Sequence, residues 1–316
     1  MPDVRWGIVS TIKAPAQDVL KFAAYHIDAG ATRVIIFLDE PNPVAEKALH
    51  HHPKARVIVC DDEHWAGRGR RPKRHQTRQS HNATRAYHKH GDLDWIGHVD
   101  VDEFVLAEGG IGAALARVPD DVESIRVRPI ERLAGGDGKA FKQYIPRSEN
   151  RLEQVSNLYP GFGQFLAGGF LSHMAGKLFV RPGNDDLKLR IHRIFVGDDV
   201  TSDSLDYPDM TVAHVHARSY DDWRAHFDFR HSVGSYRDEL SPAFPRDKGG
   251  MTLHEVFAAL LEFEGENGLR KFFDEVVGDS PELRARLKER NLLQLHDLKL
   301  DEVLSRQFPD VVGMGI

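Results

Sequence analysis

Residues Trp95 to Val105 read WIGHVDVDEFV, an apolar run that closes on three carboxylates, Asp100, Asp102 and Glu103. Trp95–Val99 has the length and composition of a short buried strand. The carboxylates then fall just past its carboxyl end, where open α/β sheets bind ligands. Two carboxylates one residue apart can share a hard divalent cation, and that cation can hold a phosphate-bearing substrate. The competing reading is a solvated acidic turn, so the surrounding chain has to decide.

Upstream of this stretch, strand and helix patterns alternate. Trp6–Thr11 is a short β-forming run, and Pro15, Gln17 and Asp18 mark a helix start. Val19, Leu20, Ala23, Ala24 and Ile27 recur at helical spacing before Gly30. Arg33–Leu38 (RVIIFL) is nearly continuous in apolar residues, as expected of a strand buried on both faces of a parallel sheet. A helix near Val44–His51, a strand at Arg56–Cys60, a loop rich in arginine and glycine, and a helix over Thr77–His90 follow. The alternation predicts an α/β fold with a Rossmann-like, mostly parallel sheet flanked by helices.

Beyond the acidic cluster the pattern predicts a short helix at Ile111–Val118 and a strand at Ser124–Arg128. Leu133–Gly169 has little periodicity and reads as a substrate-shaping loop region. Lys177–Arg181 and Lys188–Phe195 read as a hairpin about the turn Pro182–Asp185, and Thr211–Ala217 as another strand. Helices dominate from Asp221, at Trp223–Arg230, Leu253–Phe263, Leu269–Val277, Pro281–Asn291 and Asp301–Phe308. The expected organisation is a domain over residues 1–218, with halves at about 1–106 and 107–218, and a helical C-terminal region over 219–316.

Composition narrows the function. A net charge of -6 gives no global attraction to nucleic acid or to an anionic membrane. The single cysteine, Cys60, cannot form an internal disulfide, which suits a reducing cytoplasm. No run reaches the roughly 18 apolar residues of a membrane span, and MPDVRWGIVS does not read as a signal peptide. The expected location is therefore cytoplasmic, with peripheral attachment to the inner membrane face left open. Basic residues gather only at Arg68, Arg70, Arg71, Lys73 and Arg74, without interleaved aromatics, which favours a solvated loop over a nucleic-acid site. Among the eighteen histidines no HExxH occurs.

The segments TIKAPAQDVLKFAAYHIDAGATRVIIFLDEPN, RQSHNATRAYHKHGDLDWIGHVDVDEF, AGKLFVRP, LRIHRIF and AHVHARSYDDW occur in that order between Thr11 and Trp223. Together they resemble a bacterial family 2 glycosyltransferase of the GT-A fold, in a branch similar to family 92. The most specific part is DVDEF. The resemblance implies that Asp100 lies near the ribose and metal, and that Asp102 ligates Mn²⁺ or Mg²⁺ directly. It implies His214, within the pattern ending Arg218-Ser219, as a third metal ligand, with His216 competing. Thr11, Lys13, Asp39, Arg78, Asn82, Asp100, Lys177 and His192 fall at positions that would serve the nucleotide sugar. Each of these also has an ordinary structural explanation as a cap, turn or strand-end residue or, for Arg78 and Asn82, as part of an exposed helix face.

The expected activity is metal-dependent transfer of a sugar from a nucleotide donor, a UDP-sugar, to a hydroxyl of a glycan or lipid-linked acceptor, with inversion. Inversion needs a general base. Phe162–Lys177, where it is expected, has no Asp or Glu, leaving His173 and Asp137 as candidates. A haloacid-dehalogenase-type phosphatase carries its Asp-x-Asp after the first strand, not the fourth, and an EF-hand has no place for Phe104 at a ligand position. Another metal-dependent phosphohydrolase and a non-catalytic nucleotide-sugar-binding module remain as alternatives. Trp223, Phe227 and Phe229 have the spacing of core packing rather than of an acceptor platform. The sequence names neither the sugar, the acceptor nor the oligomeric state.

Overall fold

The structure, a computed structural model, describes residues 4–201 and 204–312. In chain order its elements are β1 (Trp6–Ile12), α1 (Ala16–Asp28), β2 (Arg33–Leu38), α2 (Pro43–His50), β3 (Ala55–Val59), α3 (Asp62–Ala66), α4 (His75–Lys89), β4 (Trp95–His98), β5 (Glu103–Ala107), α5 (Ile111–Leu115) and β6 (Ser124–Arg132). There follow β7 (Ala140–Lys142), α6 (Arg151–Leu158), β8 (Lys177–Val180), β9 (Leu187–Leu189), β10 (Ile194–Val196), β11 (Asp199–Thr201), β12 (Leu205–His214), α7 (Tyr220–Ala225), α8 (Phe227–Ser232), α9 (Leu253–Glu264), α10 (Glu266–Val276), α11 (Pro281–Glu289), β13 (Leu293–Leu295) and α12 (Leu300–Gln307). The chain forms two compact units, one of Met1–Arg128, Ala175–Val212 and Leu298–Ile316, the other of Pro129–Met174 and Ala213–Asp297.

In the first unit, β3, β2, β1 and β4 lie side by side in parallel. Every residue of β1 is buried, because helices cover both faces. Alternate residues go to opposite sides, as the strand period of two demands. Ile8, Ile36 and Trp95 pack with Val19, Leu20, Ala23 and Ile27 of α1. Val9, Ile35, Phe37 and Ile96 pack with Ala83, Ala86 and Tyr87 of α4. Next to β4 runs β8, antiparallel, with Gly97 opposite Phe179. A Cβ on Gly97 would come within 2.6 Å of that ring, so the close approach requires glycine. The helix-flanked Rossmann-like α/β architecture expected from the sequence is present. Its parallel part is these four strands.

Three local expectations are corrected. The hairpin across Pro182–Asp185 does not form: β8 pairs with β4 and β6, while the predicted second arm splits into β9 and β10, which pair with each other. The chain reverses inside that arm, where the Arg190 amide donates to the Arg193 carbonyl at 2.8 Å. The arginine-rich loop starts with a helical turn, α3, capped by the Asp61 side chain on the His64 amide. The region 133–169 holds β7 and α6, too short to leave a periodic signal.

The second unit has its own core, in which Trp223, Phe227, Tyr236, Phe257 and Phe272 are buried together. Trp223 and Phe227 pack as expected from their spacing, whereas Phe229 is 66% exposed. In this unit the end of β6 pairs with β7, and β7 pairs with β13. Among the described residues no helix is long and apolar enough to cross a membrane.

Candidate active site

Sheet geometry brings the ends of β1, β2 and β4 to one edge of the first unit, and one face of α4 lies along it. His75, Arg78, Gln79 and Asn82 are spaced i, i+3, i+4 and i+7, which puts them on a single helix face. Arg78 donates to the Asp39 carboxylate, with Nη2 at 2.6 Å from Oδ2 and Nε at 2.8 Å from Oδ1. His75 Nδ1 is 3.0 Å from Asp39 Oδ2. Gln79 Nε2 donates to Asp100 Oδ1 at 2.5 Å, and Asn82 Nδ2 to Thr11 Oγ1 at 3.1 Å. One helix face therefore reads the termini of three parallel strands.

Asp39 is fully buried. Arg71 of the basic loop adds a third donor, at 2.9 Å from Oδ1, and Arg78 also holds the loop carbonyls of Pro72 and Lys73, each at 2.9 Å. Burial by itself would raise the carboxyl pKa, but the bonds and charges of His75 and Arg78 prevail and hold it well below the usual range. Lys13 lies apart from this cluster, exposed and paired with Glu40 at 2.6 Å. Both line a cleft of about 290 Å³ at the edge of β1 and β2, together with Pro15, Leu38 and Asn42.

The acidic stretch forms a tight turn between β4 and β5. The Asp100 amide donates to Glu103 Oε2 at 2.8 Å, and the Glu103 amide to the Asp100 carbonyl at 3.1 Å. Lys177, at the start of β8 and 2% exposed, places its ammonium 2.5 Å from Asp100 Oδ2 and 3.0 Å from Glu103 Oε2. Desolvation disfavours the charge on both Asp100 and Lys177, but their mutual attraction outweighs it, lowering the pKa of Asp100 and raising that of Lys177. Asp102 is half-buried at the crest of the turn. His192 Nδ1 donates to the Gly176 carbonyl at 2.8 Å, and its charge contributes to the field at Asp100. His98, 1% exposed on β4, has no hydrogen-bond partner among the described residues for either ring nitrogen. Burial, then the neighbouring Lys177, push its pKa down to about 4.

The remaining candidates belong to the second unit. His214 ends β12, half-buried, with its ring 5.3 Å from that of His216. His216 Nε2 is 2.9 Å from the Tyr236 hydroxyl. His173 is exposed. Asp137 accepts the Lys139 amide at 3.0 Å and Arg284 at 3.1 Å, which hold its pKa below the usual value.

The structure thus joins Asp39 to Arg78, Thr11 to Asn82 and Asp100 to Lys177. It adds Arg71, His75 and Gln79 as partners that residue-by-residue reading missed, and pairs Glu103, already part of the acidic cluster, with Lys177. The helical spacing in HQTRQSHN was the available signal for His75 and Gln79. A magnesium or manganese ion needs only one or two carboxylates when phosphate oxygens complete its shell. Asp100 and Asp102 fit that requirement. Among the described residues no group of three or more His, Cys, Asp or Glu gathers into a site made by protein alone.

No known family profile matches the chain, and no curated protein does. Among solved structures, the galactosyltransferase LgtC in complex with donor and acceptor sugar analogues is similar at 15% identity, over 55% of this chain and 57% of that one, with a TM-score of 0.27. HddC from Yersinia pseudotuberculosis is similar at 10% identity, over 72% of this chain and 99% of that one, with a TM-score of 0.33. The chain spans little more than half of the galactosyltransferase. Overlaps this loose say nothing about chemistry, which has to come from the residues.

Proposed function

We propose that this chain is a metal-dependent glycosyltransferase of the GT-A type, similar to family 2 and its family-92-like branch. It would transfer a sugar from a nucleotide donor, a UDP-sugar, to a hydroxyl of a glycan or lipid-linked acceptor, with inversion. The observation that carries this reading is the acidic turn Asp100–Glu103, set after the fourth parallel strand with a buried lysine on it. A structural turn has no need of a buried ammonium, whereas a site for a leaving diphosphate benefits from a fixed positive charge that costs no reorganisation. Asp100 and Asp102 would hold Mn²⁺ or Mg²⁺, with phosphate oxygens of the donor completing its shell. When bound, the ion would stabilise charge on the departing diphosphate.

The chain's own residues have separable tasks in this scheme. Lys177 keeps Asp100 ionised and orients both Asp100 and Glu103. The α4 face, Asn82 included, fixes the strand ends on which Thr11 and Asp39 sit. Lys13 and the cleft beside it would take the nucleoside, and His192 would add positive potential. His173 and Asp137 remain the proposed acceptor-side bases. Residues 1–106 would form the nucleotide-sugar half, 107–218 the acceptor half, and the protein would work in the cytoplasm or at the inner membrane face.

The test is calorimetry of UDP binding with Mn²⁺, together with turnover of a nucleotide-sugar panel with and without acceptor glycans. Asp102→Ala should abolish the metal-dependent part of UDP binding in a folded protein, and retained binding would sink the metal assignment. Full-rate donor cleavage without acceptor would indicate a phosphohydrolase. Binding without turnover would indicate a non-catalytic module.

A further inference from the structure

In the second unit a charged pair lies entirely inside the protein. Glu131 on β6 and Lys142 on β7 are both 0% exposed, with Nζ 3.1 Å from Oε2. Enclosing two charges is costly, and an apolar pair of similar size is commonly as stable or more so, so stability alone does not explain them. Three of their remaining bonds reach one loop. Glu131 accepts the Leu171 amide at 3.2 Å and the Ser172 amide at 2.7 Å. Lys142 donates to the Gly169 carbonyl at 3.0 Å, to Tyr159 Oη at 3.1 Å and to the Val276 carbonyl at 2.6 Å. Tyr159 Oη in turn lies 3.1 Å from the same Gly169 carbonyl. The loop needs this hold. Gly168 and Gly169 have φ of 71° and 85°, and a Cβ at Gly168 would fall 2.8 Å from the Ile145 carbonyl oxygen.

We propose that Glu131 and Lys142 are positioning residues that hold the Gly168–His173 loop in one conformation, so that His173 and the neighbouring backbone meet the acceptor hydroxyl in register. The inference rests on the glycosyltransferase reading. It accounts for the missing carboxylate in Phe162–Lys177: a carboxylate does reach this loop, from β6, but it is spent on backbone amides. Burial works against its ionisation, and the Lys142 charge more than compensates, bringing the pKa down to about 2. A carboxylate held so acidic is a poor general base.

The experiment compares wild type with the double variant Glu131→Gln, Lys142→Met, which removes both charges together and so leaves no unpaired ion. Thermal unfolding, amide exchange over residues 168–174, UDP affinity, and kcat and KM for the active nucleotide-sugar and acceptor pair are measured. The expected result is a folded protein with unchanged UDP affinity, exchange at least about tenfold faster in the loop, and kcat reduced about 100-fold, the scale of a misplacement near 1 Å. Tyr159→Phe, which removes one neutral contact, serves if the double variant does not fold, with a smaller loss of kcat and faster loop exchange expected. Faster loop exchange with kcat unchanged, in whichever variant folds, overturns the inference and leaves the glycosyltransferase reading intact. Absence of turnover by the wild type overturns that reading, and this inference with it.

Discussion

Replacing Asp39 by Asn tests the most heavily bonded group at the strand edge. The change keeps the shape, removes the charge, and leaves one oxygen where two accepted bonds from Arg71, His75 and Arg78. The three partners do not count equally. Arg71 and His75 have side chains 40% and 38% exposed, so water recovers much of their loss. Arg78 is 12% exposed and would be left nearly buried without its counter-ion. Breaking such a pair from one side costs about 3–5 kcal/mol when burial is complete, so about 3 kcal/mol is expected here. At about 2–4 °C per kcal/mol for a folding unit of roughly 150–250 residues, the midpoint should fall by roughly 6–12 °C.

The pH dependence adds a sign. The folded-state pKa of Asp39 is depressed, so its contribution is fully present above the unfolded value near ~3.9 and is lost as pH falls toward the folded one. The gap between wild type and Asp39→Asn should therefore be constant from pH 6 to about 5 and shrink below about 4. Urea unfolding across that range measures it. A loss under about 0.5 kcal/mol at pH 7, or a gap independent of pH down to 3, would refute the claim that this carboxylate organises the strand edge.

Two further outcomes follow from packing and capping. Gly97→Ala pushes a methyl into the Phe179 ring beneath the acidic turn and should cost about 1–3 kcal/mol by chemical denaturation, with reduced Mn²⁺-dependent UDP binding. Thr252→Ala removes the capping box at the start of α9, in which Thr252 and Glu255 bond each other's backbone amides, and should cost about 1 kcal/mol without touching UDP affinity.

The sequence by itself determined the parallel half of the fold. RVIIFL is apolar after its first residue because both faces of β2 are covered, and that pattern survives in one dimension. The acidic turn was legible for the same reason, being contiguous: Asp100 and Glu103 close on each other's backbone within four residues. The α4 face was half legible, since the spacing of His75, Arg78, Gln79 and Asn82 is helical while the strands they reach are distant in sequence. What only the tertiary structure decided is pairing across long separations. Lys177 meets Asp100 across 77 positions and Lys142 meets the Val276 carbonyl across 134. Isolated lysines in apolar strands carry no sign of their partners. Burial of a charge requires a compensating group, but which group supplies it depends on strand order, and no local pattern encodes that.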